Sequence, residues 1–190
     1  IGGFADLLRA VPVRHFFIGA GLTGSELTDE INQELLARNL TPTPLRRGDA
    51  LEFTGGRLAI LHPTDSFLSA EEIGRNDSSI VARLEVHGRS ILLTGDAERA
   101  AEADILAANL LEPADVLKAG HHGARDSTSD ALLQAVKPDL VVFSVGRNNR
   151  FNHPAPETIA RIMPTGAAIA RTDRQGSVLV SISRSGVIRW

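Results

Sequence analysis

Three polar clusters in this chain each follow directly on an apolar run that reads as a buried strand, and each carries groups able to hold a cation or move a proton. The first is Thr94-Gly95-Asp96, after Ile91-Leu92-Leu93. A carboxylate at a strand end, with a glycine letting the backbone turn, is placed to ligate a cation in a cleft. The same Asp96 equally suits the N-cap of a helix starting near Glu98. The second cluster is His121-His122 between Gly120 and Gly123, after Val116-Leu117-Lys118. Adjacent imidazoles project in different directions, so one can serve as a neutral metal ligand while the other donates a proton near neutral pH. The third spans residues 145–154, where Arg147, Asn148, Asn149, Arg150, Asn152 and His153 gather in one loop. Amides, guanidinium groups and an imidazole together suit phosphate oxygens, although Asn-Asn and His-Pro are also ordinary turn chemistry. Asn76-Asp77-Ser78-Ser79 is a weaker signal that an Asx-type turn explains about as well. His15, His62 and His87 stand alone and read as surface or turn residues.

Other chemistries fail for lack of parts. There is no Gly-x-Ser-x-Gly elbow, no Gly-x-x-x-x-Gly-Lys phosphate loop and no dinucleotide fingerprint. The chain has no cysteine, which excludes disulfides, thiolate zinc sites and cysteine nucleophiles together. Strand-end Asp and His are the ligand types through which a divalent metal activates water, so the clusters converge on metal-assisted hydrolysis. The net charge of −3 over 190 residues does not advertise nucleic-acid binding. Its distribution is uneven, however: from residue 146 to the end, seven Arg face Glu157 and Asp173, a local balance of +5 against −8 for the rest. A basic C-terminal stretch suits an anionic substrate through steering, unless the arginines are simply solvated surface.

The elements that must position these clusters are legible as periodicities. Helices are expected at residues 4–10, 25–39 (Ser25 as cap, with Leu27, Ile31, Leu35 and Leu36 at helical spacing), 98–110, 129–136 and 156–162. Strands are expected at 13–18, 50–53, 57–61, 80–86, 90–93, 115–119, 140–145, 168–171, 177–183 and 187–190. Gly55-Gly56 and His87-Gly88 read as hairpin turns, and residues 62–78 as a long loop of the kind that is often functional. The hairpin over 80–93 delivers Asp96 to the same edge as His121. Hairpins first, then strand–helix alternation, imply layered sheets with helices outside, an α/β sandwich in one domain. A composition of 43% hydrophobic and 23% charged residues is that of a globular chain. No apolar run approaches the roughly 18–20 residues of a membrane span, and no signal peptide opens the chain.

Taken in order, Thr94-Gly95-Asp96, then Asp115-Val116-Leu117-Lys118-Ala119-Gly120-His121-His122-Gly123, then Asn148-Asn149-Arg150-Phe151-Asn152-His153-Pro154, and Arg171-Thr172-Asp173 resemble the metallo-β-lactamase-fold domain of the ComEC competence family, whose membrane channel admits DNA into bacteria. The resemblance covers nearly the whole chain. It implies an αββα sandwich with two divalent metals, zinc or manganese, between the sheets. Asp96 would be the bridging carboxylate, His122 the ligand from the Gly-His-His-Gly loop and His121 the general acid or phosphate contact. Asn149, His153 and Asp77 would lie on the substrate side. The implied activity is a nuclease acting on the DNA strand that is not taken up. A small-molecule phosphodiesterase or esterase of the same fold, or a non-catalytic domain contacting DNA or the channel, are the competing readings. In the family a His-x-His-x-Asp-His motif stands directly before Ile-Gly-Gly, whereas this sequence starts at Ile1-Gly2-Gly3 and contains no such motif. The resemblance therefore implies a single domain over residues 1–190 without its first strands and first metal motif, N-terminally incomplete and near background in hydrolysis on its own. It further implies self-association through the uncovered edge, DNA (single strand or duplex) and the membrane channel of a longer protein as partners, and a soluble domain on the extracytoplasmic side.

Overall fold

The computed structural model describes residues 3–19, 26–70 and 73–190. The chain opens with α1 (Phe4–Ala10), β1 (Phe16–Gly19), α2 (Glu26–Ala37) and β2 (Pro42–Leu45). Leu8 of α1 packs with Ile31 and Leu35 of α2 in a small cluster of its own. Leu36, expected on the same apolar face, is instead 75% exposed, because Leu35 already fills that contact and the next position turns about 100° away. The cap expected at Ser25 lies outside the described residues.

The large sheet follows: β3 (Ala50–Phe53), β4 (Gly56–His62), β5 (Val81–Val86), β6 (Arg89–Leu93), β7 (Val116–Lys118), β8 (Leu140–Phe143) and β9 (Ala168–Arg171), paired in sequence order. From β3 to β6 the neighbours are antiparallel, and from β6 to β9 they are parallel. The hairpin over β5 and β6 forms with Val86 opposite Arg89, and its turn residues His87 and Gly88 both take positive φ, the twist a two-residue turn needs. Parallel neighbours need crossovers, supplied by α4 (Arg99–Ala107), α5 (Asp130–Val136) and α6 (Pro156–Ile162).

Strand alternation sends successive side chains to opposite faces. Leu92, Leu117 and Val141, aligned across β6, β7 and β8, join Ala101 and Ile105 of α4, Leu132 and Val136 of α5, and Ile162 of α6 in the main core. Emptying one such site, Leu117→Ala for example, costs about 2–5 kcal/mol. The alternate residues Val116, Leu140 and Ala170 are covered by Val178 and Val180, which lead into the short hairpin of β10 (Ser181–Ile182) and β11 (Ile188–Arg189), and by Ile188 of that hairpin. Further along the same face, Ile60 and Ala82 meet Leu45 of β2. The molecule is thus a layered α/β structure: helices, a seven-stranded mixed sheet, then short strand pairs. β2 pairs in parallel with β1 and carries Pro42 and Pro44, residues that argue against a strand except at an edge. The expected loop over 62–78 contains two short turns of helix, α3 (Asp65–Leu68) and a 3-10 turn at Asn76–Ser78, and a further one-turn helix, α7, covers Thr172–Gln175.

Candidate active site

Because β6 and β7 run parallel, the segments leaving their C-terminal ends emerge at one edge of the sheet. The first carries Asp96, the second His121 and His122. Gly95 turns the chain at φ +57, and a Cβ there would stand 2.9 Å from that of Ser79. Its carbonyl accepts the His121 backbone N–H at 3.2 Å and the Lys118 ammonium at 2.8 Å, so the two segments are tied together. Burial pushes the Lys118 ammonium below its usual pKa, and the Asp96 charge opposes that shift.

Asp96 does not cap α4. The N-cap position is Glu98, and the missing acceptor comes from outside the helix: Asp77 Oδ1 accepts the N–H groups of Glu98 at 2.9 Å and Ala101 at 3.0 Å. Asp77 is more than nine-tenths buried in this role, on the floor of the site rather than its wall. The Asp96 carboxylate is thereby left 43% exposed, its Oδ1 standing 3.6 Å from His122 Nε2.

The Gly-His-His-Gly turn is unusual in its backbone: His121 (φ 42) and His122 (φ 56) are consecutive left-handed residues, a conformation that costs side-chain-bearing residues about 1–3 kcal/mol each. Flanking contacts enforce it. Gly120 N–H donates to Thr128 Oγ1 at 3.1 Å, Ser127 Oγ donates to Gly120 O at 2.7 Å, and Glu102 accepts the N–H groups of Thr128 and Ser129. Gly120 and Gly123 are sterically required, since added Cβ atoms would lie 2.7 Å from Ala97 O and 2.5 Å from the Phe143 ring.

The turn sends the two imidazoles to different partners. His122 Nδ1 lies 2.6 Å from Ser144 O, to which it can only donate, so Nε2 is the lone-pair atom turned to Asp96. His121 Nδ1 lies 2.6 Å from Glu98 Oε1, which also accepts from Asn76 Nδ2 at 3.2 Å; Nε2 of His121 is left to meet a substrate. His153 packs edge-on to His121, with ring centres 5.5 Å apart, and its buried Nδ1 has no hydrogen-bond partner. Burial, then the nearby charges of His121 and His122, hold its pKa below the ordinary histidine range. Asn149 lines the adjoining hollow beside His122 and His153. Its amide is used within the loop, donating to Gly146 O and His153 O and accepting from the N–H groups of Phe151 and His153.

A divalent cation with nitrogen and oxygen ligands at about 2.0–2.2 Å holds two of them roughly 3.4 Å apart, so the Asp96–His122 pair has the chemistry and separation of two ligands of one ion. Among the described residues, no group of three His, Cys, Asp or Glu side chains forms a metal-holding cluster. Sequence reasoning brought Asp96, His121, His122, Asn149 and His153 to this edge. It missed Glu98 and Asn76 as partners of His121, and the Ser144 carbonyl as the group that orients His122. Glu98 stands two positions beyond Asp96, itself in extended backbone at the entry to α4, so its nearness to the strand-end Asp96 was the one signal that could have found it. His62 also departs from expectation. It is fully buried, with Nδ1 2.9 Å from Asp104 Oδ2 and Nε2 2.8 Å from Asp77 O, because it ends a core-facing strand rather than opening a loop.

Comparison with known proteins agrees with this architecture. The model of the metallo-beta-lactamase superfamily matches residues 63–147, the segment that carries Asp96, His121 and His122. The chain is 29% identical over 178 residues, 94% of its length, to ComE operon protein 3 of Bacillus subtilis (strain 168), of which it covers 22%. It is 33% identical over 120 residues, 62% of its length, to competence protein ComA of Neisseria gonorrhoeae, of which it covers 17%. The chain therefore spans about a fifth of the length of these relatives. Among solved structures, CmlA, a diiron beta-hydroxylase from Streptomyces venezuelae, superposes with a TM-score of 0.50 at 13% identity, over 74% of this chain and 34% of that one, a likeness of fold alone. A mixed sheet backed by helices, an Asp and a His meeting at the ends of its parallel strands, and these relatives agree: the chain has the metallo-β-lactamase fold, its residues 63–147 match that superfamily, and it is similar to the corresponding domain of ComEC-type competence proteins.

Proposed function

We propose that this chain is a metal-dependent hydrolase domain that cleaves phosphodiester bonds of DNA in the setting of competence DNA uptake, within a longer protein that also forms the membrane channel. One observation carries the reading: the Asp96 carboxylate and the free nitrogen of His122 face each other at 3.6 Å, with His121 beside them. Two divalent metals, zinc or manganese, are expected, held in part by Asp96 and His122; bound there, they supply Lewis-acid polarisation of a phosphoryl oxygen. The chain's own residues do the rest. Glu98 and Asn76 hold His121 so that its Nε2 protonates the leaving oxygen, and His153 and Asn149 wall the substrate side. No helix among the described residues is long and apolar enough to cross a membrane; the domain is proposed to lie on the extracytoplasmic side, where incoming DNA is met.

Two donors are too few for a tight site, so the remaining ligands are expected from outside this pair, and the 190 residues alone are expected to hydrolyse DNA at near background. The same shortage is what favours the second reading, a non-catalytic domain that contacts DNA or the channel. The test is metal-dependent cleavage of labelled DNA by the full-length protein, beside its Asp96→Ala and His122→Ala variants. Loss of cleavage in both supports the hydrolase. Cleavage undiminished in both rules out this site, and binding of DNA without cleavage by the unaltered protein supports the second reading.

A further inference from the structure

Phe151 is 62% exposed at the tip of the third polar loop, yet it is not a stray surface ring. Its backbone N–H donates to Asn149 Oδ1 at 3.2 Å, and its ring stacks on His153 at 5.8 Å between centres with 18° between planes. His153 in turn packs on His121, so the exposed ring is backed by the candidate catalytic groups themselves. Phe151 walls two hollows. One, of about 480 Å³, contains His122 and Thr172; the other, of about 700 Å³, contains Arg125, Arg147 and Arg171. The Arg150 guanidinium lies over the ring, 4.9 Å from its centre, so a stacking base takes the place of this mobile cation. Arg125 and Arg171 are engaged by Glu157 and Asp173, whereas Arg147 makes, among the described residues, only a long bond to a backbone carbonyl.

An exposed aromatic ring with guanidinium groups around it is the arrangement that seats unpaired bases, ring on ring, while the cations meet the phosphates. A duplex keeps its bases stacked on one another and offers such a ring no face. We propose that Phe151 is a base-stacking platform that seats single-stranded nucleic acid beside the Asp96–His122 pair, with Arg147 and Arg150 meeting its phosphates. This rests on the nucleic-acid reading above and adds strand state and residue to it.

The experiment uses fluorescence anisotropy in EDTA, so that neither metal loading nor cleavage enters. Three fluorescein-labelled probes of equal length are compared on the 190-residue chain: oligothymidylate, an abasic oligomer with the same phosphates, and a duplex. The expected result is tightest binding of oligothymidylate, a loss of about 5- to 100-fold for it in Phe151→Ala, no change for the abasic probe, and retention in Phe151→Trp. Equal melting temperatures for the two variants show that folding is not the cause. If the wild-type chain binds oligothymidylate and abasic probe alike, or Phe151→Ala binds both as the wild type does, the platform is overturned while the nucleic-acid reading stands. Duplex bound more tightly than single strand overturns the strand assignment. No binding to any probe removes the nucleic-acid reading and the platform with it.

Discussion

The Asp77 carboxylate accepts the Glu98 backbone N–H at 2.9 Å, and this bond from the 3-10 turn before β5 sets the residue that holds His121. A residue expected at the substrate side thus acts one step behind it. Removing the Glu98 carboxylate frees the His121 ring without touching Asp96 or His122. Glu98→Ala in the full-length protein is expected to lower DNA hydrolysis by about 100-fold or more, the usual worth of a positioned acid or base, and to leave metal content unchanged. Metal analysis alongside cleavage rates checks this; a parallel loss of metal would assign Glu98 to the metal site instead.

Metal affinity should be weak in the 190-residue chain. Titrated with Mn(II) and followed by electron paramagnetic resonance, it is expected to bind with a dissociation constant in the range of about 10⁻⁴ M or weaker, as suits two protein donors and solvent. His122→Ala should abolish the binding. Tight uptake of two ions by the unaltered chain would show that the remaining ligands lie within it.

Glu102 is the hidden support of the histidine turn. It is 98% buried, since only 2% of its surface is exposed, and both oxygens accept backbone N–H groups, from Thr128 and Ser129. Burial pushes its carboxyl above the usual range, against those hydrogen bonds. Glu102→Ala strands a buried donor and a part-buried one, each costing up to about 1–3 kcal/mol, so urea unfolding should show a loss of about 2–5 kcal/mol. A loss below about 1 kcal/mol would mean that water replaces the carboxylate.

Acid should loosen the sheet at Asp115. Burial raises its pKa, but the Ser90 N–H at 2.7 Å and the Arg89 guanidinium outweigh this and hold it below the usual carboxylate range. A carboxyl lowered in the folded state binds its proton more readily once unfolded. The stability it contributes is therefore complete above the unfolded value of about 3.9 and fades as pH falls through the lower folded value. Asp115→Asn should flatten the acid limb of a stability–pH curve measured by urea unfolding between pH 2 and 6. Identical curves for the two proteins would contradict this.

The sequence made the hairpin, the helix-backed parallel strands and the convergence of Asp96 on His122 legible, because strand-end position and alternation are local patterns. What it hid was set by partners distant along the chain. Asp96 carries an N-cap's side chain ahead of a helix, and only the arrival of Asp77 from 19 positions earlier frees it for other work. His62 looked like a loop opener because Pro63 follows it, yet it closes β4 against the core. β2 was masked by its prolines, which an edge pairing tolerates.

The change from antiparallel to parallel pairing at β6 divides the sheet by sequence distance. β3 to β6 close through neighbouring hairpins, whereas each later strand must wait for a crossover helix to bring it back. Local closures cost less chain entropy than distant ones. The order of assembly should therefore run from the hairpin half outward, and the Asp96–His122 contact, which bridges the first of the parallel joins, should be among the later events. Pulsed hydrogen exchange during refolding would then protect the amides of Arg83 and Glu85 before those of Leu117 and Val141, leaving a nascent chain that holds its scaffold before it holds its site.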